Sequence, residues 1–444
     1  MINLKPVVVP LLTLGVVATI FYGESLTVGK EKPGPVHVVY WEKWTGFEFD
    51  AMKKIVDDFN KSHTDIQVDM LSATGIDTKT LMAVSAEVPP DIAGLYGANI
   101  AQYADDHAVD PLDDLCKESG IKADDYLPVY YDMLNYDGHV WALPSTPASI
   151  VLHYNKDMFV ACGLDPDKPP KTIEEMDELG DKITKISNGH VLRTGFLPAE
   201  PGWWNWAWPN YFGGKIVDNK GKITASSPEC IRAMTWMQRY PKILGKDQFQ
   251  SFKQGFGNPQ SPQNPFMEGK LAMEVQGVWM ANFISQFKSD MKWGAAPFPY
   301  PKDRPDLANT ALVDLDVLVI PHGAKHKREA FEFMKFVQQQ KEMEKLCMGQ
   351  GKNTPLKKVS DYFWANHKNP YIHLFYDMAA SKNAFAAPKL GVWAQLNAEL
   401  SSEVDAINLL HKTPKEAMDD FTARMQPIAD QYVQRHAMRQ RMGL

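Results

Sequence analysis

The stretch VHVVYWEKWTGFEFDAMKKIVDDF, residues 36–59, joins a buried strand to an amphipathic helix. Its first six residues contain no acidic or basic side chain except one histidine, which predicts a strand buried on both faces of a sheet. In the second half, Met52, Ile55, Val56 and Phe59 recur at helical spacing on one face. A strand followed directly by a helix is the building unit of α/β domains.

The same alternation continues along the chain. IQVDM (66–70) and PPDIAGL (89–95) predict strands, and residues 78–87 and 99–108 predict the helices that follow them. Strands that alternate with helices form a parallel sheet covered on both faces. Ligands bind such sheets beyond the carboxyl ends of the strands. We therefore expect the loops after the first and third strands to lie on one rim.

Later segments extend the α/β pattern. Extended segments are predicted at 141–155 and 312–320, and helices at 171–186, 230–240, 327–340, 390–410 and 414–433. Residues 266–284 predict a helix end, a short strand and a second helix. The chain has 444 residues, which is long for one hydrophobic core, so two or three domains are expected.

Composition and missing motifs disfavour several classes of protein. The net charge of −7 and the lack of a long basic run disfavour a nucleic-acid partner. The sequence contains no nucleophile elbow, zinc-protease helix or phosphate-binding glycine loop, so neither catalysis nor a cofactor is expected. Cys116, Cys162, Cys230 and Cys347 lie far apart without a C-x-x-C pair. This spacing disfavours a metal site and favours unpaired, buried thiols.

The N-terminus has the pattern of an export signal. Residues 6–23 carry no charge and follow Lys5. We expect residues 1–25 to be a signal peptide or an uncleaved N-terminal membrane anchor, because a run of 18 residues is at the lower limit for crossing a bilayer. Either alternative exports the rest of the chain to the periplasmic or extracellular face of the membrane.

A loop with the sequence PGWWNWAWPNYFGG, residues 201–214, holds four of the twelve tryptophans. The flanking prolines and glycines predict irregular structure, and irregular segments lie at surfaces. A cluster of indoles either fills a core or faces a ligand. We expect Trp204 and Trp206 to face a cleft, with Trp203 and Trp208 anchoring the loop from behind.

Five segments in order carry a family resemblance: VPPDIAGLYGANIAQYADDHAVDPLDDL (88–115), GHVWALPSTPASIVLHYNKDMFVACGLDPDKPPKTIEEM (138–176), FMEGKLAMEVQGVW (266–279), WGAAPFP (293–299) and EAFEFMKFV (329–337). They resemble the carbohydrate-binding solute receptors of ABC importers, the maltose-binding-protein-like group. The resemblance extends from about residue 36 to residue 425.

The resemblance implies a two-lobed α/β periplasmic-binding-protein fold. Each lobe would be a mostly parallel sheet flanked by helices, and crossing strands would form a hinge. The first lobe would comprise residues 36–147 plus 294–340, and the second residues 148–293 plus 341–444. Such a receptor would be a monomer without cofactor or metal. It would hold a mono- or oligosaccharide between its lobes and deliver it to the membrane permease of an ABC importer, which reads lobe closure.

The resemblance also implies which residues bind the sugar. Sugar rings stack their apolar faces on aromatic side chains and present hydroxyls to polar groups in a preformed cleft. The expected residues are Glu42, Trp44, Tyr96, Asn99, Trp204, Trp206, Gln276, Trp279, Asp316 and Trp393. For each aromatic residue the alternative is core packing, and for the polar residues it is the capping of a helix.

One position departs from the family pattern. Asp314 and Leu315 stand where the family tends to have a glycine pair, and Asp314 is therefore added to the expected site. A negative cleft edge leaves two alternatives open. The first is the same fold binding a polyamine or another cationic solute with Asp314, Asp316 and Glu42 beside aromatic rings. The second is an extracellular carbohydrate-active enzyme with two cleft carboxylates about 5 to 10 Å apart.

Overall fold

The computed structural model describes residues 34–218, 220–257 and 261–442, so the predicted leader or anchor at 1–25 lies outside the described residues. The strands are β1 (Val36–Glu42), β2 (Ile66–Ser72), β3 (Ile92–Tyr96), β4 (Asn135–Tyr136), β5 (His139–Val140), β6 (Leu143–Asn155), β7 (Lys185–Ser187), β8 (His190–Arg193), β9 (Met273–Gly277), β10 (Trp293–Ala296), β11 (Ala311–Val319) and β12 (Ala384–Phe385). The α-helices are α1 (Gly46–Ser62), α2 (Ile76–Ser85), α3 (Ile100–Asp105), α4 (Asp113–Ser119), α5 (Pro128–Leu134), α6 (Lys156–Ala161), α7 (Ile173–Ile183), α8 (Trp208–Tyr211), α9 (Pro228–Leu244), α10 (Lys246–Gln254), α11 (Met280–Phe287), α12 (Lys327–Val337), α13 (Gln340–Gln350), α14 (Asp361–Asn366), α15 (Ile372–Ala379), α16 (Trp393–Asn408) and α17 (Pro414–Met442).

The first lobe contains the parallel sheet that the opening stretch predicts. β2, β1 and β3 lie side by side and run parallel, and β11 adds to β3 in the opposite direction. Tyr40 of β1 pairs with Ile92 of β3. The carboxyl ends of these two strands therefore lie at one edge of the sheet, which confirms the expected common rim.

β6 is the strand that connects the lobes. Its first half pairs with β11, from Leu143 to Ser149, and its second half pairs with β9, from Ile150 to Tyr154. Thirteen residues in continuous extended conformation thus belong to both lobes. The predicted extended segment at 141–155 is confirmed as a strand that crosses between them.

Strand pairing in the second lobe differs from the expectation. β9 and β10 both run antiparallel to β6, so this part of the sheet is not the mostly parallel sheet implied by the resemblance. The reason is connectivity. β6 enters the second lobe from the first, whereas β9 and β10, joined through α11, both run back toward the first lobe.

Two large hydrophobic clusters confirm the two-lobed fold. The first contains Tyr40, Phe59 and Val317. The second contains Trp208 and Phe421, together with other residues of the tryptophan loop and the last helices. Each lobe therefore has a core of its own, with β6 and β11 between them.

The cores group some segments differently from the predicted lobe boundaries. Side chains from residues 343–379 belong to the first cluster, although the sequence boundary assigns them to the second lobe. The physical reason is the packing of α13 on α1, where a side chain at Gly349 would approach the Ala51 Cβ to 2.9 Å. Conversely, Phe298 packs on Tyr211 in the second cluster, with ring centroids 4.5 Å apart.

The last helix contacts both lobes. Phe421 in its first half belongs to the second cluster, whereas Tyr432 donates a hydrogen bond to the Asp105 carboxylate of the first lobe at 2.8 Å. Tyr136 donates to the same carboxylate at 3.0 Å, and Arg439 donates to the Asp105 backbone carbonyl at 2.7 Å. We call this group of hydrogen bonds the α17 contact. It joins the lobes at a place separate from the crossing strands.

The cysteines are unpaired, as predicted. Cys116, Cys230 and Cys347 are buried and Cys162 is partly buried, each as a free thiol. Between residues 34 and 442, apart from the short gaps at 219 and 258–260, no helix has the length and apolar character needed to cross a membrane. In the same part of the chain, no group of histidine, cysteine and acidic side chains is arranged to hold a metal ion.

Candidate ligand-binding cleft

A cavity of about 340 Å³ lies between the two lobes. Its lining residues are Trp44, Glu48, Tyr96, Ala148, Trp203, Trp204, Trp279, Phe283, Asp314, Leu315, Asp316 and Lys352. The lobes contact each other beside it: Asn282 of α11 donates a hydrogen bond to the Gln350 carbonyl oxygen at 2.8 Å. Phe47 at the start of α1 packs edge-on against Phe283, with ring centroids 6.1 Å apart.

Aromatic side chains from both lobes form opposite walls of the cavity. On the first lobe, Trp44 follows β1 and meets Tyr96 of β3 in an edge-to-face contact with ring centroids 5.8 Å apart. On the second lobe, Trp204 lies beside Trp279 at a centroid distance of 6.3 Å. The common rim of β1 and β3 thus supplies one wall, and the tryptophan loop with the end of β9 supplies the other.

The tryptophan loop divides its indoles between cavity and core. Trp203, 44% exposed, and Trp204 line the cavity, whereas Trp206 and Trp208 are buried in the second cluster. A 3-10 turn over Asn205–Ala207 follows Trp204. Because each residue of such a turn rotates the chain by roughly 120°, side chains two positions apart point in different directions. The structure therefore does not place Trp206 in this cavity, and it places Trp203 there instead.

Two other expected residues, Trp393 and Asn99, contact other protein side chains. Trp393 is buried and packs edge-on against Trp206, with ring centroids 5.5 Å apart. Trp206 also borders a separate cavity of about 260 Å³ beside the segment 384–389. Asn99 donates a hydrogen bond to the Asp77 carboxylate at 3.1 Å at the rim of the first lobe. None of these three side chains lines the central cavity among the residues that the structure describes.

Glu42 and Gln276 support the cavity walls from behind. The Glu42 carboxylate is buried and accepts the backbone N–H of Trp44 at 3.2 Å. Gln276 is fully buried, and its side-chain oxygen accepts the indole N–H of Trp279 at 3.1 Å. Gln276 therefore orients the Trp279 ring and Glu42 fixes the backbone at Trp44, although neither residue lines the cavity.

Charged side chains form a buried network at the floor of the cavity. Lys352 Nζ lies 3.0 Å from one oxygen of Asp316 and 2.9 Å from the Glu48 carboxylate. Lys43 Nζ lies 3.2 Å from the other oxygen of Asp316. The indole N–H of Trp44 also donates to Asp316 at 3.0 Å. Both ammonium groups are thus paired with protein carboxylates.

A sequence model described as the bacterial extracellular solute-binding protein family matches residues 54–370. The chain belongs to this family. Among curated relatives, it is 23% identical to the sn-glycerol-3-phosphate-binding periplasmic protein UgpB of Pectobacterium atrosepticum over 87% of this chain and 90% of the relative.

Solved structures of other solute-binding proteins share the fold. CpMnBP1 with mannobiose bound is 26% identical, with a TM-score of 0.79, covering 87% of this chain and 99% of that one. The cyclic α-maltosyl-1,6-maltose binding protein of Arthrobacter globiformis is 19% identical, with a TM-score of 0.73, covering 89% of this chain and 99% of that one. The similarity to the Arthrobacter protein is one of fold, whereas CpMnBP1 is similar in both fold and sequence.

The two aspartates of this solute-binding protein's cavity differ in acidity. Burial alone would raise the pKa of Asp316, but the charges of Lys352 and Lys43 hold it at about 2. Burial raises the pKa of Asp314 to about 6, against the lowering effect of the Leu315 backbone N–H that it accepts. Asp316 is therefore held in its ionised form by two lysines, whereas burial favours the protonated form of Asp314.

Two further buried carboxyl groups belong to Glu274 of β9 and to Glu200, which directly precedes the tryptophan loop. Burial, and then the charge of Glu200, raise the pKa of Glu274 to about 8. Burial raises the pKa of Glu200 to about 7, partly opposed by Lys253. Gln276 donates to one oxygen of Glu274 at 3.3 Å. Glu274 is therefore in direct contact with the residue that orients Trp279.

The sequence prediction missed several side chains of the site. Lys352 lies in the segment GQGKN, which has no strand pattern and no phosphate-loop spacing, and Glu48 lies on the first turn of α1. One signal for the network was available: Lys43 directly follows β1, a strand in which every second residue from Val38 to Glu42 is buried. A lysine at that position needs a carboxylate partner, and the partner it finds is Asp316.

Proposed function

We propose that this solute-binding protein binds a sugar in the cavity between its lobes and delivers it to the membrane permease of an ABC importer. The facing aromatic walls carry the proposal: Trp44 and Tyr96 on one lobe, and Trp204 and Trp279 on the other. Their faces suit the apolar faces of sugar rings, and the charged floor offers hydrogen-bond partners for hydroxyls. The bound mannobiose of CpMnBP1 supports the same ligand class.

The name of the curated relative suggests a different ligand, a phosphate ester. The charges in this cavity disfavour such an anion. Lys43 and Lys352 are already paired with carboxylates, and Asp314 has no lysine or arginine within ion-pair distance in the described part of the chain. A phosphate placed among these carboxylates would be repelled in a medium of low dielectric. A sugar without a phosphate avoids this repulsion.

We also propose that the cavity performs no chemistry on its ligand. Glycoside hydrolysis needs one carboxyl group that donates a proton and a second carboxylate across the scissile bond. The carboxyl groups that line the cavity belong to Glu48, Asp314 and Asp316, on α1 and β11, so none of them comes from the opposite wall of the cleft. Incubation with a bound disaccharide, followed by chromatography, should return the disaccharide unchanged. Release of monosaccharides would contradict a pure receptor.

A thermal-shift screen tests the sugar proposal. A ligand that binds only the folded protein raises its melting temperature in proportion to the logarithm of ligand concentration. We expect disaccharides and monosaccharides to raise the melting temperature, with glycerol 3-phosphate and spermidine giving smaller shifts. Isothermal titration of the best ligand then gives its affinity. A shift with spermidine or glycerol 3-phosphate and none with any sugar would overturn the proposal.

The exported location and the monomeric state are part of the same proposal. Sequencing the N-terminus of the protein recovered outside the cytoplasm shows whether residues 1–25 are removed, because a cleaved leader gives a new N-terminus near residue 25. Light scattering during gel filtration measures the mass in solution. A single-chain mass is expected, near 50.0 kDa if the leader is retained.

A further inference from the structure

Asp314 is the carboxylate of the cavity that lacks an ion-pair partner. One of its oxygens accepts the backbone N–H of Leu315 at 2.8 Å, and across residues 34–442, outside the gaps at 219 and 258–260, no lysine, arginine or histidine nitrogen lies within 4.0 Å of it. By contrast, Asp316 contacts two lysines and Glu48 contacts one. Asp314 also lies on the surface of the cavity, so a bound ligand can reach it.

Carboxyl groups outnumber ammonium groups around the cavity. Glu42, Glu48, Asp314 and Asp316 are four carboxyl groups on or next to its floor, and Lys43 and Lys352 are the two cations placed among them. Aromatic rings, which attract cations, line the same cavity. Lys43 Nζ lies 4.8 Å from the Tyr96 ring centroid, and Lys352 Nζ lies 5.1 Å from the Trp44 ring centroid. These walls therefore already stabilise ammonium groups of the protein.

We propose that Asp314 binds a protonated amino group on the ligand, so that the preferred sugars are amino sugars with a free amine. This inference rests on the proposed sugar-binding function and narrows its ligand class. The ammonium supplies the cation that the cavity lacks. The sugar ring carrying it stacks between the aromatic walls.

An ammonium suits Asp314 better than a hydroxyl does. Lobe closure removes water from the carboxylate, and a buried carboxylate without a paired charge is costly. A sugar hydroxyl supplies one neutral hydrogen bond, whereas an ammonium supplies a charge-assisted bond and neutralises the carboxylate. The charge of the cavity also disfavours acidic sugars, because both lysines are already engaged. Selectivity for the amine follows from this difference.

Three disaccharides with the same β-1,4 linkage test the inference by isothermal titration with the full exported chain. They are the glucosamine disaccharide, its N-acetylated form and cellobiose. The three differ at the position of the amine, which is charged, acylated or replaced by a hydroxyl. We expect the glucosamine disaccharide to bind about 10-fold or more tightly than either other ligand, as expected for a buried charge pair. This comparison needs no variant, so it does not depend on the folding of a mutant.

The variant Asp314→Asn removes the charge and keeps the shape. It should weaken binding of the glucosamine disaccharide by about 30-fold or more while changing cellobiose binding by about threefold or less. Asp290→Asn is the matched control, because it makes the same charge change at an exposed position outside the cavity. The control should leave all three affinities unchanged.

Other results would overturn the inference in distinct ways. If cellobiose or the N-acetylated disaccharide binds as tightly as the amine, Asp314 does not select an ammonium, although the sugar receptor stands. The same follows if Asp314→Asn weakens all three ligands equally. If none of the saccharides binds and spermidine does, the proposed function itself fails. Spermidine therefore belongs in the same titration series.

Discussion

The side-chain oxygen of Gln276 accepts the indole N–H of Trp279 at 3.1 Å, which fixes one aromatic wall of the cavity to the strand behind it. Gln276 is fully buried and also accepts the backbone N–H of Gly277 at 3.1 Å. A side chain at Gly277 would approach the Trp279 ring to 2.4 Å. The indole therefore lies flat against the end of β9, held by a hydrogen bond on its edge.

Replacing this buried acceptor should weaken sugar binding without any loss of a direct ligand contact. We expect Gln276→Leu to lower affinity by about 1 kcal/mol, because Trp279 loses the partner that sets its orientation. Titration of the sugar identified by thermal shift measures the effect. Trp279→Phe is the companion variant, since it keeps a ring but removes the N–H. If Gln276→Leu leaves affinity unchanged, packing against Gly277 alone orients the indole.

Trp204 and Trp206, two positions apart, should give opposite results when truncated. Trp204→Ala removes a cavity wall and should weaken sugar binding by about 1 to 3 kcal/mol, with a small change in melting temperature. Trp206→Ala leaves a void in the second cluster and should cost about 3 to 5 kcal/mol of stability. Titration and urea unfolding of both variants check the pair. A loss of affinity in folded Trp206→Ala matching that of Trp204→Ala would place Trp206 at the ligand.

The buried lysine at the cavity floor should be needed for stability as well as for the site. Lys352→Met removes the ammonium that pairs with Asp316 and Glu48, and leaves two carboxylates buried with one fewer cation. We expect a loss of about 3 to 5 kcal/mol in the free energy of unfolding, measured by urea denaturation at pH 7. Lys335→Met is the comparison variant, because its ion pair with Glu332 is surface-exposed. That exposed pair should contribute about 0 to 1 kcal/mol.

The buried acids Glu274 and Glu200 predict a pH dependence of stability. Burial and the charge of Glu200 raise the pKa of Glu274 to about 8, whereas an unfolded glutamate titrates near pH 4.3. Between these values the folded state retains a proton that the unfolded state has lost. The stabilisation is therefore complete below about pH 4 and is lost as the pH rises through about 8.

Glu274→Gln removes this titration while keeping the shape of the side chain. Wild type should lose on the order of 2 kcal/mol more stability than the variant between pH 5 and pH 9. Urea unfolding at pH 5, 7 and 9 measures the difference. Parallel pH profiles for the two proteins would show that Glu274 is ionised in the folded state.

Sequence patterns were sufficient for the parts of the site that follow strand order. Trp44 and Tyr96 lie together because the carboxyl ends of parallel strands share one edge, and that rule needs no structure. Trp279 was found in the same way, at the end of a short strand with a family motif. The alternation of strands and helices likewise predicted the α/β class, and the family resemblance predicted the two lobes.

The remaining features depend on long-range packing. Lys352 is 36 positions from Asp316 and much farther along the chain from Glu48, and no local pattern indicates that its ammonium group pairs with both carboxylates. Trp206 points away from the cavity because the loop forms a 3-10 turn. The sequence did not decide whether this loop would be extended or helical. The antiparallel pairing of β9 and β10 depends on the direction in which β6 enters the second lobe.

The α17 contact affects how a measured dissociation constant should be interpreted. Tyr432 belongs to a helix rooted in the second lobe, yet its hydroxyl bonds to Asp105 of the first. Rotation of one lobe against the other would break these hydrogen bonds. They should therefore shift the equilibrium of the ligand-free protein toward the lobe arrangement in which they form. Apparent affinity equals intrinsic affinity scaled by the fraction of molecules already competent to bind. We therefore expect substitutions in the last turns of the final helix to change the measured affinity, although no residue there lines the cavity.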